Sequence, residues 1–392
     1  MKTSQSWLGT VLFVVFLQSS SLASAASVSF AGFAYAGDHS SVDARFPHVR
    51  KIEDALATAH QPIDKQLSDR LAGVTPAAYE LRPAGSLASL KGSDQAIAMA
   101  LVLTNETVST ERLGEVTKLL IVLNAQVMYF DFKTQTVLRA YPVDAVYIDA
   151  LNEAPSDDYV IARTREMLLA DGAGSLMSSF VSTVKNAVLP STVSRYLQIV
   201  KVSIDPDAAK QLPASLMAAP GVAETWLADK LDAAFLGQAG VPMLPYSKDK
   251  GYAIGKKMAM RFADGDVYTL TLPEADYAIT VELQSFKKVK FGDVPAGTSF
   301  IYGAFVHVQL TEPLSGHSYL DASFKDGETK VVPARQSSID DAPAFQDALD
   351  ALFKKLAATL GGSDDKWIRS ATSATDIGDQ IRNTRKVLNS CK

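Results

Sequence analysis

Apolar and polar residues change rhythm several times along the chain, and the clearest changes fall between Glu274 and Leu360. Ala275 to Leu283 alternates Tyr277, Ile279, Val281 and Leu283 with smaller or polar residues, the two-residue period of a half-buried strand. Phe300 to Leu310 is a second aromatic and β-branched run. It stops at Thr311 to Gly316, where a proline and a glycine mark a turn, and His317 to Phe324 returns as a third strand. After this hairpin the period becomes 3.6. Phe345, Leu349, Leu352, Phe353, Leu356 and Leu360 form one apolar stripe, with Asp347, Asp350, Lys354 and Lys355 on the wet side. Asp340 and Asp341 suit a cap, Pro343 a first turn and Gly361-Gly362 a carboxyl-terminal stop.

A looser copy of this order occupies the amino-terminal half. Ser27 to Tyr35 alternates as a strand, and helical patterns follow at Val49 to Ala59 and Ile63 to Leu71, broken by Pro62. A strand near Ala96 to Leu103 leads through a polar loop to a longer one, Lys118 to Phe132, then the turn Lys133 to Thr136 and the returning strand Val137 to Val143. Helices are expected at Asp157 to Leu169 and Met177 to Val188, a strand at Tyr196 to Ile204, and a helix at Val222 to Leu236. Segments Asp94 to Val143 and Asp276 to Phe324 share the order strand, polar loop, longer strand, turn, strand, as a repeat of pattern and not of residues.

The expected fold is therefore α+β, with two similar modules. Each is a mixed or antiparallel sheet carrying a strand-turn-strand hairpin and packed by amphipathic helices. The modules span residues 27–190 and 195–362, with the boundary at Pro190 to Ser194. Residues 363–392 form a polar tail with one loosely held helix, Ile377 to Leu388.

Residues 1–26 read as a signal peptide: Lys2, an apolar run from Trp7 to Leu17, and Ala23-Ser24-Ala25 as a cleavage pattern. No cysteine stands at the cleavage point and no later stretch suits a membrane span, so a periplasmic or secreted protein is expected, without an integral membrane span after cleavage. The composition, 47% hydrophobic and 21% charged, is that of a globular chain, and a net charge of −5 argues against nucleic acid as partner. The single cysteine, Cys391, leaves no internal disulfide and reads as an incidental thiol on a frayed tail, with an intermolecular disulfide as the alternative.

The second module resembles the small α/β domain at the amino terminus of TolB and in the curli-secretion protein CsgG. The matching residues are Ala275-Asp276-Tyr277-Ala278-Ile279, Ala304 to Leu310, the turn Glu312 to Gly316, and Tyr319-Leu320. Gln126 to Phe132, the turn Lys133 to Thr136 and Val137-Leu138 carry the similarity in the first module. Propeller repeats and a lipidated cysteine, which TolB and CsgG respectively have, are missing, as is a clear membrane-inserting hairpin. The resemblance implies an envelope setting and a role in protein contacts, and it brings no catalytic residues.

Phosphate-binding loops, dinucleotide turns, nucleophile elbows, H-E-x-x-H and paired C-x-x-C are absent from the sequence, so no cofactor and no catalytic residue is expected. Asp38, His39, Asp43 and His48 make the densest polar constellation, able to ligate zinc or act as a base, although Asp38 and Asp43 equally suit turns and caps and His48 a helix start. His307 reads as a core or edge histidine. Lys248, Lys250, Lys256 and Lys257 would join Lys287, Lys288 and Lys290 in one basic patch if their strands were neighbours. Asn105-Glu106-Thr107 matches a glycosylation acceptor. The favoured function is a non-enzymatic envelope protein that binds or helps assemble an envelope protein or surface component, with oligomers open to it. The alternatives are a carrier of a lipid or other apolar ligand and a metal-dependent hydrolase.

Overall fold

The computed structural model describes residues 26–37, 42–83, 97–113, 115–189, 195–217, 220–247, 256–263, 265–334, 340–363 and 366–392. The expected signal peptide, residues 1–26, lies outside these residues except for Ala26. The fold is α+β, with two separate sheets among the described residues.

Strand β1 (Ser27–Ala36) is nearly all buried and lies parallel to β2 (Glu80–Arg82) and β3 (Ile97–Leu113). Strands β3, β4 (Val116–Asp131) and β5 (Thr136–Leu151) form an antiparallel meander. At the β4–β5 turn the Asp131 carboxylate accepts from the Lys133 and Thr134 N–H groups, both at 2.9 Å, which satisfies donors the ladder cannot reach. One face of this sheet is covered by α1 (Val42–Arg45), α2 (Pro47–Thr58), α3 (Ile63–Leu71), α4 (Asp157–Leu169) and α5 (Leu176–Asn186). Phe30, Phe46, Leu101, Tyr129 and Phe180 fill that layer.

The second sheet repeats the pairing order. Strand β6 (Leu197–Ile204) lies parallel to β9 (Tyr277–Val294), and β9, β10 (Gly297–Glu312) and β11 (His317–Pro333) form an antiparallel meander. Its helices are α6 (Pro206–Ala209), α7 (Val222–Ala234), α8 (Ala342–Gly361), α9 (Ile368–Ala371) and α10 (Ile377–Ser390). Helix α8 lays Leu349, Leu352, Phe353 and Leu356 on the sheet, and it ends at Gly362, whose φ of 106° suits the left-handed cap. Helix α7 packs on β6 and α8 and also touches β3 and β5, so it joins the two halves.

Several sequence expectations change. The polar stretches between the expected strands are themselves strand: β3 and β4 are separated only by residues 114–115, and β9 and β10 only by Pro295 and Ala296. Hairpin neighbours satisfy each other's backbone groups, so these arms need no apolar alternation to persist. Strands β7 (Lys256–Phe262) and β8 (Val267–Leu272), from inside residues 195–362, pair with the first sheet and not the second. Strand β8 joins β5 at Thr136↔Thr271, and β7 joins β1 at Ala34↔Phe262. The first sheet therefore closes into a ring around Ala98, Ala100, Met128, Phe130, Met260 and Leu270. The tail is not frayed: Ile377, Ile381, Val387, Leu388 and Cys391 are buried in the second core. Their helical spacing supplies the apolar stripe that holds it.

Candidate functional site

Near the end of β1 the described members of the histidine and carboxylate constellation, Asp43 and His48, have different partners. Arg50 of α2 donates from Nε to Asp43 at 3.0 Å and also pairs with Glu53, whose Oε2 accepts from the Tyr35 hydroxyl at 2.7 Å. Burial pushes the Glu53 carboxyl up, against the pull of Tyr35 and Arg50. His48 belongs to a different cluster. The carboxylate of Glu106, 1% exposed, accepts from the His48 and Val49 N–H groups at 3.0 Å and lies 2.6 Å from His48 Nδ1. Glu106 thereby caps the amino terminus of α2, which starts with Pro47 and has no cap from its own Phe46. Asp43, an exposed partner of Arg50, and His48, beside the capping Glu106, thus lie in separate networks. Asp38 and His39 lie outside the described residues. Among the described residues, no group of three or more His, Cys, Asp and Glu side chains could hold a metal.

Beside it, Arg45 crosses from α1 to the sheet, donating to Ala36 O at 2.6 Å and Thr104 O at 2.9 Å. Gly37 permits this crossing: its φ is 102°, and a Cβ there would collide with the Arg45 guanidinium. Asp229 of α7, partly exposed, turns its carboxylate onto Thr104, whose Oγ1 donates at 3.1 Å. Burial pushes Asp229 up to about 7, opposed by Thr104 and Arg45. Asp232, one turn on and 4% exposed, is also raised well above the usual carboxylate range by burial and by Asp229, and its Oδ1 has no hydrogen-bond partner. Sequence reading missed these acids because they lie on the apolar side of a helix, where a charge is unexpected.

Between the halves lies a cleft of about 470 Å³, with Lys118 and Leu120 of β4 facing Leu212, Asp340, Pro343 and Gln346. Lys118 and Asp340, both mostly buried, pair across it at 2.9 Å. A second cavity of about 540 Å³ lies between α9 and α10, rimmed by Arg369, Arg382 and Arg385. Arg382 pairs with Asp379, and Arg385 donates to Thr359 O at the end of α8, so two of the three guanidinium groups serve the fold.

The remaining candidates are placed as follows. His307 is neither core nor edge: it lies on the open face of central strand β10, with Nε2 2.9 Å from Asp321 Oδ1. A face without helices leaves a polar ring well solvated. Strands β7 and β9 belong to different sheets, so the strands carrying Lys256 and Lys257 are not neighbours of the strand carrying Lys287, Lys288 and Lys290. Lys248 and Lys250 lie outside the described residues. Lys288 pairs with Asp341 at 2.8 Å and Lys290 with Asp293 at 2.8 Å, while Lys287 sits over the Phe305 ring. Asn105 is buried and donates to Thr107, which encloses the glycosylation acceptor. Cys391 is 1% exposed, and burial pushes its thiol up to about 11, which corrects the picture of a thiol on a loose tail.

No protein-family model matches the chain, and no curated protein matches it. Solved structures that share local likeness include a DUF330 protein from Xanthomonas campestris, at 14% identity over 43% of this chain and 85% of its own, with a TM-score of 0.23. A hypothetical protein from Chlamydia trachomatis aligns at 11% identity over 45% of this chain and 99% of its own, with a TM-score of 0.26. A minor lipoprotein from Acinetobacter baumannii aligns at 12% identity over 43% and 97%, with a TM-score of 0.24. Scores this low establish neither a shared fold nor a family. No helix among the described residues is long and apolar enough to cross a membrane.

Proposed function

We propose that the chain is an exported cell-envelope protein that binds other envelope components, without catalysis, through two related sheet-and-helix modules. The amino-terminal stretch with a small-residue cleavage pattern supports export. The duplication is supported by the matching pairing orders, β1-β3-β4-β5 and β6-β9-β10-β11. The resemblance to the TolB amino-terminal domain and to CsgG belongs to this same reading.

The observation that carries it is the open face of the second sheet. Helices cover one side of β9, β10 and β11, and the other side presents Ile301, Phe305, His307 and Gln309 at intermediate exposure. A sheet face with aromatic, aliphatic and hydrogen-bonding groups in rows suits contact with a folded partner. The cleft between the halves, with its buried Lys118–Asp340 pair, suits a polar ligand better than an apolar one.

The test is to produce the full chain in a Gram-negative host with a photo-crosslinking residue at Phe305 and, separately, at Gln309. Recovery in the envelope fraction with a discrete crosslinked adduct at these positions is expected. Retention in the cytoplasm, or no adduct at either position, would reject the reading.

A further inference from the structure

Four of the eleven large apolar side chains exposed among the described residues lie at one extremity, while Val116, Val146 and Ile148 belong to the β3–β4–β5 meander. Val289 is 57% exposed, Phe291 72%, Val294 41% and Val331 48%, and all four lie at the far end of the β9–β10–β11 meander. Cross-strand register puts Val289, Val294 and Val331 on one surface, and Phe291 sits at a β-bulge between Lys290 and Gly292. Val289 opposes Ile301, Gly292 and Val331 flank Ser299, and Val294 and Pro333 flank Gly297. Three rungs of the ladder hold the set, a span of about 14 Å.

The hairpin tip adds exposed Pro295 and Ala296, and the end of β11 adds Pro333 and Ala334. The tip reads Val-Pro-Ala-Gly: Pro295 and Gly297 are ordinary turn residues, and Val294 and Ala296 make the apex apolar. Gly297 fits there because its backbone, at φ 151°, lies against Val332, leaving no room for a Cβ.

Charge near the tip is arranged behind the apolar apex. Residues 286–300 contain Lys287, Lys288 and Lys290 against Asp293 alone, on a chain whose net charge is −5. Lys290 and Thr298 hold Asp293, Lys288 holds Asp341, and Lys330 of β11 holds Asp347. Exposed Lys287, over the Phe305 ring, can keep its ammonium group at a headgroup layer while its methylenes lie along apolar surface.

From this geometry we propose that the tip of the β9–β10–β11 meander is a membrane-surface anchor that inserts Phe291, Val294 and Val331 into the interface of an anionic lipid bilayer. Strand β10 is paired on both sides at the tip, while the outward backbone groups of β9 and β11 have to stay in the hydrated headgroup layer. The tip's protruding form fits a deformable lipid surface better than a rigid partner, which would need a matching groove. The reach of about 14 Å is well short of a hydrocarbon core of about 30 Å, so the tip lies in one leaflet and does not span. The proposal relies on the export reading only for which bilayer is met.

The test uses the purified full chain and vesicles of phosphatidylglycerol with phosphatidylethanolamine, beside vesicles of phosphatidylcholine alone. The chain should sediment with the anionic vesicles, and the double substitution Phe291→Ser/Val294→Ser should weaken binding at least roughly tenfold with an unchanged melting temperature. In a second measurement, the emission of Phe291→Trp should move to shorter wavelength on adding anionic vesicles. Failure to sediment with either vesicle, binding indifferent to the double substitution, or an unmoved emission would overturn the proposal. So would a solution dimer that the double substitution dissolves, since that would make the tip a contact between copies. A defect of export alters fractionation in cells and leaves the vesicle result unchanged, so the two readings fail separately.

Discussion

The two meanders have the same strand order and opposite surroundings. In the first, β7 and β8 close the sheet into a ring, so both faces are buried near its base and β1 and β5 are no longer edges. In the second, β11 remains an edge and the face away from the helices stays open. Their tips differ in detail: the first carries Arg112 and Glu115 beside exposed Val116 and Ile148, and the second carries Phe291, Val294 and Pro295 beside Asp293. One pairing order thus yields a closed body and an arm with one open face, and the added β7–β8 hairpin makes the difference.

The strongest way to break this comparison is to open a cavity in each core. Phe130 lies inside the ring and Phe353 under the open sheet, and both are fully buried. Replacement of either with alanine should cost about 3–5 kcal/mol in denaturant unfolding, with Phe130→Ala the larger because strands on all sides limit collapse. A cost below about 1 kcal/mol for Phe130→Ala would deny the packed ring.

Next in size is Glu106, which serves the closed half by capping α2. Glu106→Ala should cost about 2–3 kcal/mol, because two N–H groups lose a charged acceptor. His307→Ala on the open face should change stability by no more than about 0.5 kcal/mol, since its pair with Asp321 is solvated. Equal costs for the two would erase the distinction between body and arm.

A smaller effect is expected at the junction. Burial raises the Asp229 and Asp232 carboxyls above their unfolded value of about 4, so the native state keeps protons that the unfolded chain releases. Stability from these groups is therefore full below pH about 4 and is lost as pH rises towards about 7, the folded-state value of Asp229. Asp232→Asn should raise the melting temperature at pH 8 and leave it unchanged near pH 4. An equal rise at both would point to packing instead of charge. The smallest effect belongs to Phe291→Ser, expected within about 0.5 kcal/mol of the parent in denaturant unfolding, because the ring is mostly in water already.

Much of the architecture is legible in the chain. The stripe from Phe345 to Leu360 gives α8, with the stop at Gly362, while at its start Asp340 accepts from the Ala342 N–H and Asp341 is held by Tyr302 and Lys288. The expected helix Asp157 to Leu169 and the strand ending at Ile204 are present with those ends. What local pattern could not show is pairing between distant segments. Nothing in residues 256–272 says that they complete a sheet begun at Ser27, because strand partners are chosen by tertiary packing. Glu106 looked like a loop residue, since a buried carboxylate is recognised only with the helix end it caps. The apolar tip was hidden in a stretch whose lysines suggested a loop.

Hydrogen–deuterium exchange with and without anionic vesicles compares the two arms in a single experiment. Added protection should be confined to residues 287–300 and the end of β11, while the β3–β4 tip exchanges as before. Equal protection of both tips, or of neither, would contradict the division into a closed body and a contact arm.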